Sequence, residues 1–406
     1  MPGDWWGLGP HQSLKICWSG HILARRDLCE VVRTLGIEEE LLVVDTESGL
    51  PLSIAGRVLG RASTAENREK AGVPDRDQSG PGGTLTAELQ QQQVETDTPP
   101  RAELADLDDD LRCWRDFAIA SAKEVGVAIV ATGSSPTPVK PQVVRNPRYK
   151  VMAERYGLTT AGHLTCACHV HVSVASGEEA VGVLDRIRVW LPSLLAISAN
   201  SPFWQGQDTG YASFRSQVMV RWPSAGPTEV FGSLGAYRQV VEDMVGTEVL
   251  LDEDMVYFDA RVSRHYPTVE IRVADVCLDA RDAVLVAALC RALVDTASDH
   301  WARGRPAPTA LLRLATWQAG RDGVDGQLLD PLTHRPRPAG DVLAGLIDHV
   351  RPALDATGDL ALVEERLLAV RTRGNGARRQ RAVMARTNQL SDVVADLAHV
   401  TAGRDD

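Results

Sequence analysis

The sequence predicts an α+β fold. Strand-like segments alternate apolar and polar residues, and longer stretches repeat apolar residues at three- and four-residue intervals. Acidic and histidine residues are paired two apart on the strand-like segments, Glu38 with Glu40 and His169 with His171, and Glu270 stands in the same relation to Arg272. A spacing of two sends both side chains to one face of an extended chain, so several such strands side by side build a floor of carboxylates. Such a floor needs cations. Hard divalent ions bound through oxygen, with a polyphosphate on their far side, are the usual answer.

Taken in order, residues 1–32 carry Trp5, Trp6 and Trp18 among Gly and Pro but lack the apolar run and cleavage signal of a secretory leader, and read as an irregular extension. Leu35–Asp45 is β-rich and ends in the turn signal Asp-Thr-Glu-Ser-Gly. A polar, Gly/Pro-rich loop runs to about Gly83, and Thr84–Thr96 follows as a strand carrying Glu88, Gln91, Gln93 and Glu95. Arg101–Val125 is an amphipathic helix on Leu104, Leu107, Leu111 and Trp114, stopped by Gly126, and Val127–Thr132 is a buried strand.

In Leu164–Val174, Cys166, Cys168, Val170, Val172 and Val174 share the core face of a strand, while Thr165, Ala167, His169, His171 and Ser173 form the wall of a polar cavity. Glu178–Ala199 is helical with a kink at Pro192, and runs into Asn200-Ser-Pro-Phe-Trp, a turn of the sort that presents side chains to a site. Arg215 and Arg221 follow on a β-like segment, and in the strand Thr268–Asp275 Glu270 and Arg272 face away from Val269, Ile271 and Val273. From Asp279 to about Ala402 the chain is mostly helical, with breaks near residues 304–308 and 331–340, and reads as scaffold more than chemistry.

Composition narrows the function. With 406 residues, 44% of them apolar, the chain can bury one large core or two modest ones. A net charge of -11 argues against a nucleic-acid or membrane-surface partner, and no run is long enough to span a bilayer. Its few lysines lie outside any Gly-Lys-Ser/Thr context, so a P-loop is absent. Seven irregularly spaced cysteines make no disulfide framework and fit a reducing cytoplasm. Cys-Ala-Cys-His-Val-His has the composition of a zinc motif, but on a regular strand its cysteines and histidines point oppositely, which disfavours a zinc hydrolase.

Several separated motifs then carry a resemblance: Gly36-Ile-Glu-Glu-Glu-Leu, Glu88-Leu-Gln-Gln-Gln-Gln-Val-Glu95-Thr-Asp-Thr, Cys168-His-Val-His-Val, Ser198-Ala-Asn-Ser-Pro-Phe-Trp-Gln-Gly, Tyr211-Ala-Ser-Phe-Arg-Ser-Gln-Val, Arg221-Trp-Pro and Thr268-Val-Glu-Ile-Arg-Val-Ala-Asp. In this order they resemble the glutamate-cysteine ligase type 2 family of carboxylate-amine ligases, from about residue 34 to 300 and more loosely through the helical tail.

The resemblance implies a fold similar to glutamine synthetase: a strongly curved, mainly antiparallel sheet forming a half-open funnel, helices outside, ATP and two or three Mg²⁺ ions inside, with Mn²⁺ as an alternative ion. It implies Glu38, Glu40, Glu88, Glu95, His169 and Glu270 as metal ligands. His169, His171, Arg272 and Asn200 would lie at the nucleotide, and Arg272, Arg215 and Arg221 would meet phosphate or substrate carboxylate. It further implies small-molecule partners, an amino-acid carboxylate and an amine, joined through an acyl phosphate in a cytoplasmic homo-oligomer, a dimer. Residues 33–300 would be the catalytic domain and 301–406 its helical C-terminal part. Phe258 in Val-Tyr-Phe-Asp, where the family commonly has Trp, bears on pocket shape and not on the metal ligands. Two other readings stand beside it: a biosynthetic ligase for another amino acid and amine, and a catalytically silent nucleotide-binding regulatory protein.

Overall fold

A computed structural model describes residues 32–64, 82–298 and 311–404. The predicted N-terminal extension up to residue 31, residues 65–81 of the loop expected before Gly83 and the break at 304–308 lie outside the described residues. The described part of that loop departs from expectation by forming a helix, Ala55–Ala62, whose Ala55, Val58 and Ala62 join the core beside Leu41–Val44.

Eleven strands are described: β1 (Leu35–Asp45), β2 (Thr84–Ala87), β3 (Gln93–Asp97), β4 (Val127–Val130), β5 (Ala167–Ser173), β6 (Phe203–Trp204), β7 (Gln207–Asp208), β8 (Ala260–Val262), β9 (Thr268–Asp275), β10 (Gln327–Leu329) and β11 (Pro336–Pro338). Seven form one open sheet in the order β2-β3-β1-β5-β9-β8, with β4 also on β1, and every pairing is antiparallel. The sheet is mainly antiparallel and unclosed, as the sequence led us to expect.

β1 organises it. From Leu35 to Glu40 buried and half-buried residues alternate, so one face is core and the other carries Glu38 and Glu40; from Leu41 to Val44 every residue is buried. The core face packs on the apolar helix Ala280–Ser298, whose Leu285, Leu289 and Leu293 share a cluster with Ile37, Val170, Val172 and Ile271. The far end of β1 packs instead with β4 and with Val393, Val394, Leu397 and Val400 of the helix Leu390–Thr401.

Three further elements differ from the sequence expectation. Thr84–Thr96 is not one strand but a hairpin, β2 against β3, with Thr86 opposite Glu95. The glutamine run makes the reversal: the side-chain amides of Gln90, Gln91, Gln92 and Gln93 donate to the carbonyls of Thr160, Val143, Lys140 and Thr165, anchoring the turn to neighbouring loops. Pro192 does not kink a continuous helix. It sits in the first turn of a new one, Leu191–Ser198, after Gly177–Ile187 has ended, where its missing N–H costs nothing. The helix expected from Arg101 starts at Leu104, because Arg101 is held extended by a two-way backbone bridge to Leu35.

The middle glutamate of the Glu38-Glu39-Glu40 run points the other way. Glu39 is fully buried and receives Arg115 of the helix Leu104–Lys123 through two bonds, Nε to Oε2 at 2.7 Å and Nη2 to Oε1 at 2.6 Å. Arg115 also donates to the carbonyls of Cys277 and Leu278, so this buried pair joins helix, central strand and the end of β9 with its donors satisfied.

Candidate active site

The sheet order places β3, β1, β5 and β9 side by side, and register does the rest: Glu40 lies opposite Glu95, Glu38 opposite His169, and His171 opposite Glu270. Glu88 follows β2 at the hairpin and joins them. The outcome is two groups whose ligand atoms lie within 4.8 Å of one another, Glu38 with His169 and Glu270, and Glu40 with Glu88 and Glu95. All six residues expected as metal ligands fall in these two groups. His171 is adjacent: its Nε2 lies 3.1 Å from Glu38 Oε1, and its Nδ1 lies 2.9 Å from Thr268 Oγ1.

The groups differ electrostatically. Burial first, and then the charges of their neighbours, push Glu95 well above the usual carboxylate range and Glu88 up to about 7; Glu40 is also raised, mainly by burial. In the other group burial works against ionisation but loses. His171 and His169 hold Glu38 low, and Arg272 and Arg261 hold Glu270 low. Arg261 Nε reaches Glu270 Oε2 at 2.7 Å, and Arg272 bonds the other oxygen. Burial, and secondarily the charge of Arg272, depress His169 to about 4, so its imidazole is neutral and free to act as a ligand.

Five carboxylates and one neutral imidazole form a donor set for hard divalent cations. A cation would remove the mutual repulsion of Glu40, Glu88 and Glu95, so these residues fit Mg²⁺ or Mn²⁺. Neither group contains a cysteine; Cys166 and Cys168 are buried in the core, and burial raises their thiols well above the usual range.

Two cavities flank the groups along the strands. The smaller, about 190 Å³, is mostly apolar and runs past Leu35, Ile37, Pro100 and Tyr266 to Glu38 and His171. The larger, about 590 Å³, begins at Glu40, Glu88 and His169 and extends along Arg272 to the helices. Leu35–Glu38 of β1, His171 and Ser173 of β5 and Thr268 of β9 border the small cavity, while Glu40, His169, and Arg272 with Val273 on the same three strands border the large one.

Arg215, Arg221 and Arg272 all line the large cavity, Arg215 from the short helix Arg215–Met219 rather than from a strand. Arg215 is buried, donates to the carbonyls of Val273 and Arg272, and lies 3.7 Å from Asp275; Arg221 is exposed and stacks over Trp204. Asn200 is not brought to either cavity. It is fully buried, its amide donates to the carbonyls of Ala131 and Val276, and its oxygen accepts from Gln380 of the helix Gly376–Thr387. Its position beside the core makes it a clamp between loops, and Asn200→Ala is expected to lower thermal stability by about 1–3 kcal/mol without changing the KM for nucleotide, read by denaturation and steady-state kinetics.

Sequence reasoning missed Arg261, which grips Glu270, and several residues of the large cavity's wall. Arg261 was invisible because its partner, Glu270, is set by β8–β9 register. Arg313, Thr316 and Trp317 come from the helix Leu312–Asp322, in the half of the chain read as scaffold, and correct that reading. His163, depressed to about 3 by burial and then by Arg215, accepts from Trp222 Nε1 and forms neutral wall. The only available signal for these was proximity of aromatic and basic residues to no recognisable motif.

The sequence profile of glutamate-cysteine ligase family 2 matches residues 34–397. A protein of Streptomyces avermitilis, provisionally named glutamate–cysteine ligase 2-1, is 48% identical over 375 residues, 92% of this chain and 100% of its own length. One from Streptomyces coelicolor with the corresponding name is 48% identical over 367 residues, 90% of this chain and 98% of its own. Among solved structures, the chain is similar in fold to glutamate–cysteine ligase of Francisella tularensis in complex with AMP, with TM-score 0.65 at 13% identity over 94% of this chain and 91% of that one. It is similar also to a bifunctional glutathione synthetase of Pasteurella multocida, with TM-score 0.65 at 16% identity over 92% of this chain and 52% of the other.

Proposed function

The chain belongs to glutamate-cysteine ligase family 2 and is an ATP-dependent ligase forming carbon–nitrogen bonds, and we propose that it joins the side-chain carboxylate of glutamate to the amino group of cysteine. The observation that carries this reading is the line of two ligand groups between an apolar cavity and a polar, arginine-lined one. The smaller cavity suits a nucleotide base, with His171 at its inner end. The larger suits the amino acids, and the γ-phosphate and the carboxylate meet between them.

In the first step a carboxylate oxygen attacks the γ-phosphorus of ATP; the bond to ADP breaks and an acyl phosphate forms. In the second the amine nitrogen attacks the acyl carbon, phosphate leaves with the bonding electrons, and the nitrogen gives up a proton. Phosphoryl transfer asks the protein for positioning and charge neutralisation and needs no covalent nucleophile. Arg272 is fixed by Glu270 beside the transfer point, where it balances charge on the transferred group. Arg261 holds Glu270 from the other side, keeping its carboxylate ionised and oriented. Glu38, His169 and Glu270, and Glu40, Glu88 and Glu95, would hold Mg²⁺, which when bound would supply the charge screening that lets a carboxylate approach the triphosphate.

Incubation with MgATP, glutamate and cysteine is expected to release phosphate at a rate that needs both amino acids. Release needing a different carboxylate or amine in a panel would reassign the substrates, and none with any pair would count against the ligase reading. Independently of turnover, millimolar Mg²⁺ is expected to raise the melting temperature over an EDTA control, because it binds the folded state alone.

A further inference from the structure

Asp259 is a carboxylate the chemistry above does not use. It precedes β8 on the wall of the large cavity, and its backbone is fixed on both sides: its N–H donates to Gly226 O at 3.1 Å, and its carbonyl accepts from Arg272 N at 2.8 Å. Among the described residues its side chain has no hydrogen-bond or ion-pair partner. The other acids on that wall are engaged: Glu40 and Glu88 belong to a ligand group, and Asp254 is held by Arg264 at 2.8 Å. Arg221 and Arg313, on the same wall, have no carboxylate partner among the described residues. A cavity offering both a spare anion and spare guanidiniums matches a zwitterion.

Position in the sheet decides which ammonium group Asp259 would meet. Arg261 pairs with Glu270, so Asp259, just before β8, lies opposite Arg272, at about the level of His169 and Glu38. Its displacement from the ligand groups is across the strands: β9 stands between it and β5, and two strand spacings are about 10 Å. An amine attacking an acyl phosphate must bring its nitrogen within about 3–3.5 Å of a carbon held at the ligand groups, which an anchor so displaced does not favour. The α-nitrogen of glutamate stands four bonds from its distal carboxyl carbon, roughly 5 Å in an extended chain with bonds near 1.5 Å. The offset therefore suits the donor.

Resting on the ligase reading, we propose that Asp259 binds the α-ammonium group of the amino acid being activated, and thereby makes the enzyme select α-amino dicarboxylic acids and present their distal carboxylate to ATP. Burial pushes Asp259 up to about 6 against the opposing charge of Arg215, so it is mainly ionised at neutral pH, and an ammonium partner favours that state further. Asp259 is a specificity residue: it moves no proton in the reaction.

The test compares glutamate with glutarate, which has the same distal carboxylate and no ammonium group, at saturating ATP and cysteine. In Asp259→Asn the ratio of kcat/KM for glutamate over glutarate is expected to fall by roughly 10- to 100-fold, the weight of one charge-assisted hydrogen bond, with KM for ATP and cysteine unchanged. Equal losses with both donors, or a rise confined to the KM for cysteine, would overturn the assignment. Calorimetric binding of glutamate and glutarate to wild type, Asp259→Asn and Asp259→Ala reads the same discrimination without turnover. Ligase failure in the wild type would then sink the ligase reading alone, a glutamate preference lost in a folded variant would support the anchor, and one retained would refute it.

Discussion

Glu95→Gln is expected to lower ATP-dependent phosphate release by about 10³-fold or more, some 4 kcal/mol of transition-state stabilisation, while the protein stays folded. Glu95 sits on β3 opposite Glu40, where its carboxylate is driven far above its ordinary range by burial and then by Glu88, Glu38 and Glu40. Without a cation, the amide is the less costly occupant of that position. The variant should therefore melt no lower than wild type in EDTA and should lose much of the Mg²⁺-dependent rise in melting temperature. Wild-type turnover, or an intact Mg²⁺ shift, would contradict its role as a ligand. The two readouts also separate a lost ligand from a disturbed fold, since general damage lowers the EDTA baseline as well.

Arg115→Met is expected to have the largest effect on stability, about 3–5 kcal/mol, because it leaves Glu39 buried and unpaired beneath the sheet. Arg115 makes four hydrogen bonds from a position almost without solvent contact. The carbonyls of Cys277 and Leu278 lose a donor at the same time. Chemical denaturation measures the loss, and Glu39→Leu combined with Arg115→Met should recover part of it by removing the stranded charge. A single variant as stable as wild type would mean that the pair is dispensable.

Legibility in the sequence followed the range of the interaction. Thr268–Asp275 and the faces of Leu164–Val174 could be read from two-residue alternation, since the strand's own geometry separates His169 and His171 from Cys168 and Val170. The pairing of Glu38 and Glu40 on one face was equally local. Glu39 was not, because its meaning depends on an arginine 76 residues away on a helix. The hairpin between β2 and β3 was hidden because a polar glutamine run fits an edge strand as readily as a turn, and only its bonds to distant loop carbonyls choose between them. Asn200 was misplaced for a related reason: a motif marks a residue as constrained, but a side chain caught between Ala131, Val276 and Gln380 is constrained by architecture. The cavity wall from Leu312–Asp322 carried no local signal, since Arg313 and Trp317 sit on a helix like any other.

The packing of the last helices beneath the sheet has a consequence for how the chain can be cut. Thr401 accepts from Ala131 N, Gln380 bonds Asn200, and a Cβ at Gly376 would collide with Asn200, so these segments interlock with the strand ends. Val394, Leu397 and Val400 complete the apolar cluster around Leu41 to Val44. C-terminal truncation before Gly376 would thus strip the lining from the very strand that carries Glu38 and Glu40. The tail is no detachable appendage, and a trimmed expression variant would forfeit the foundation of its carboxylate floor.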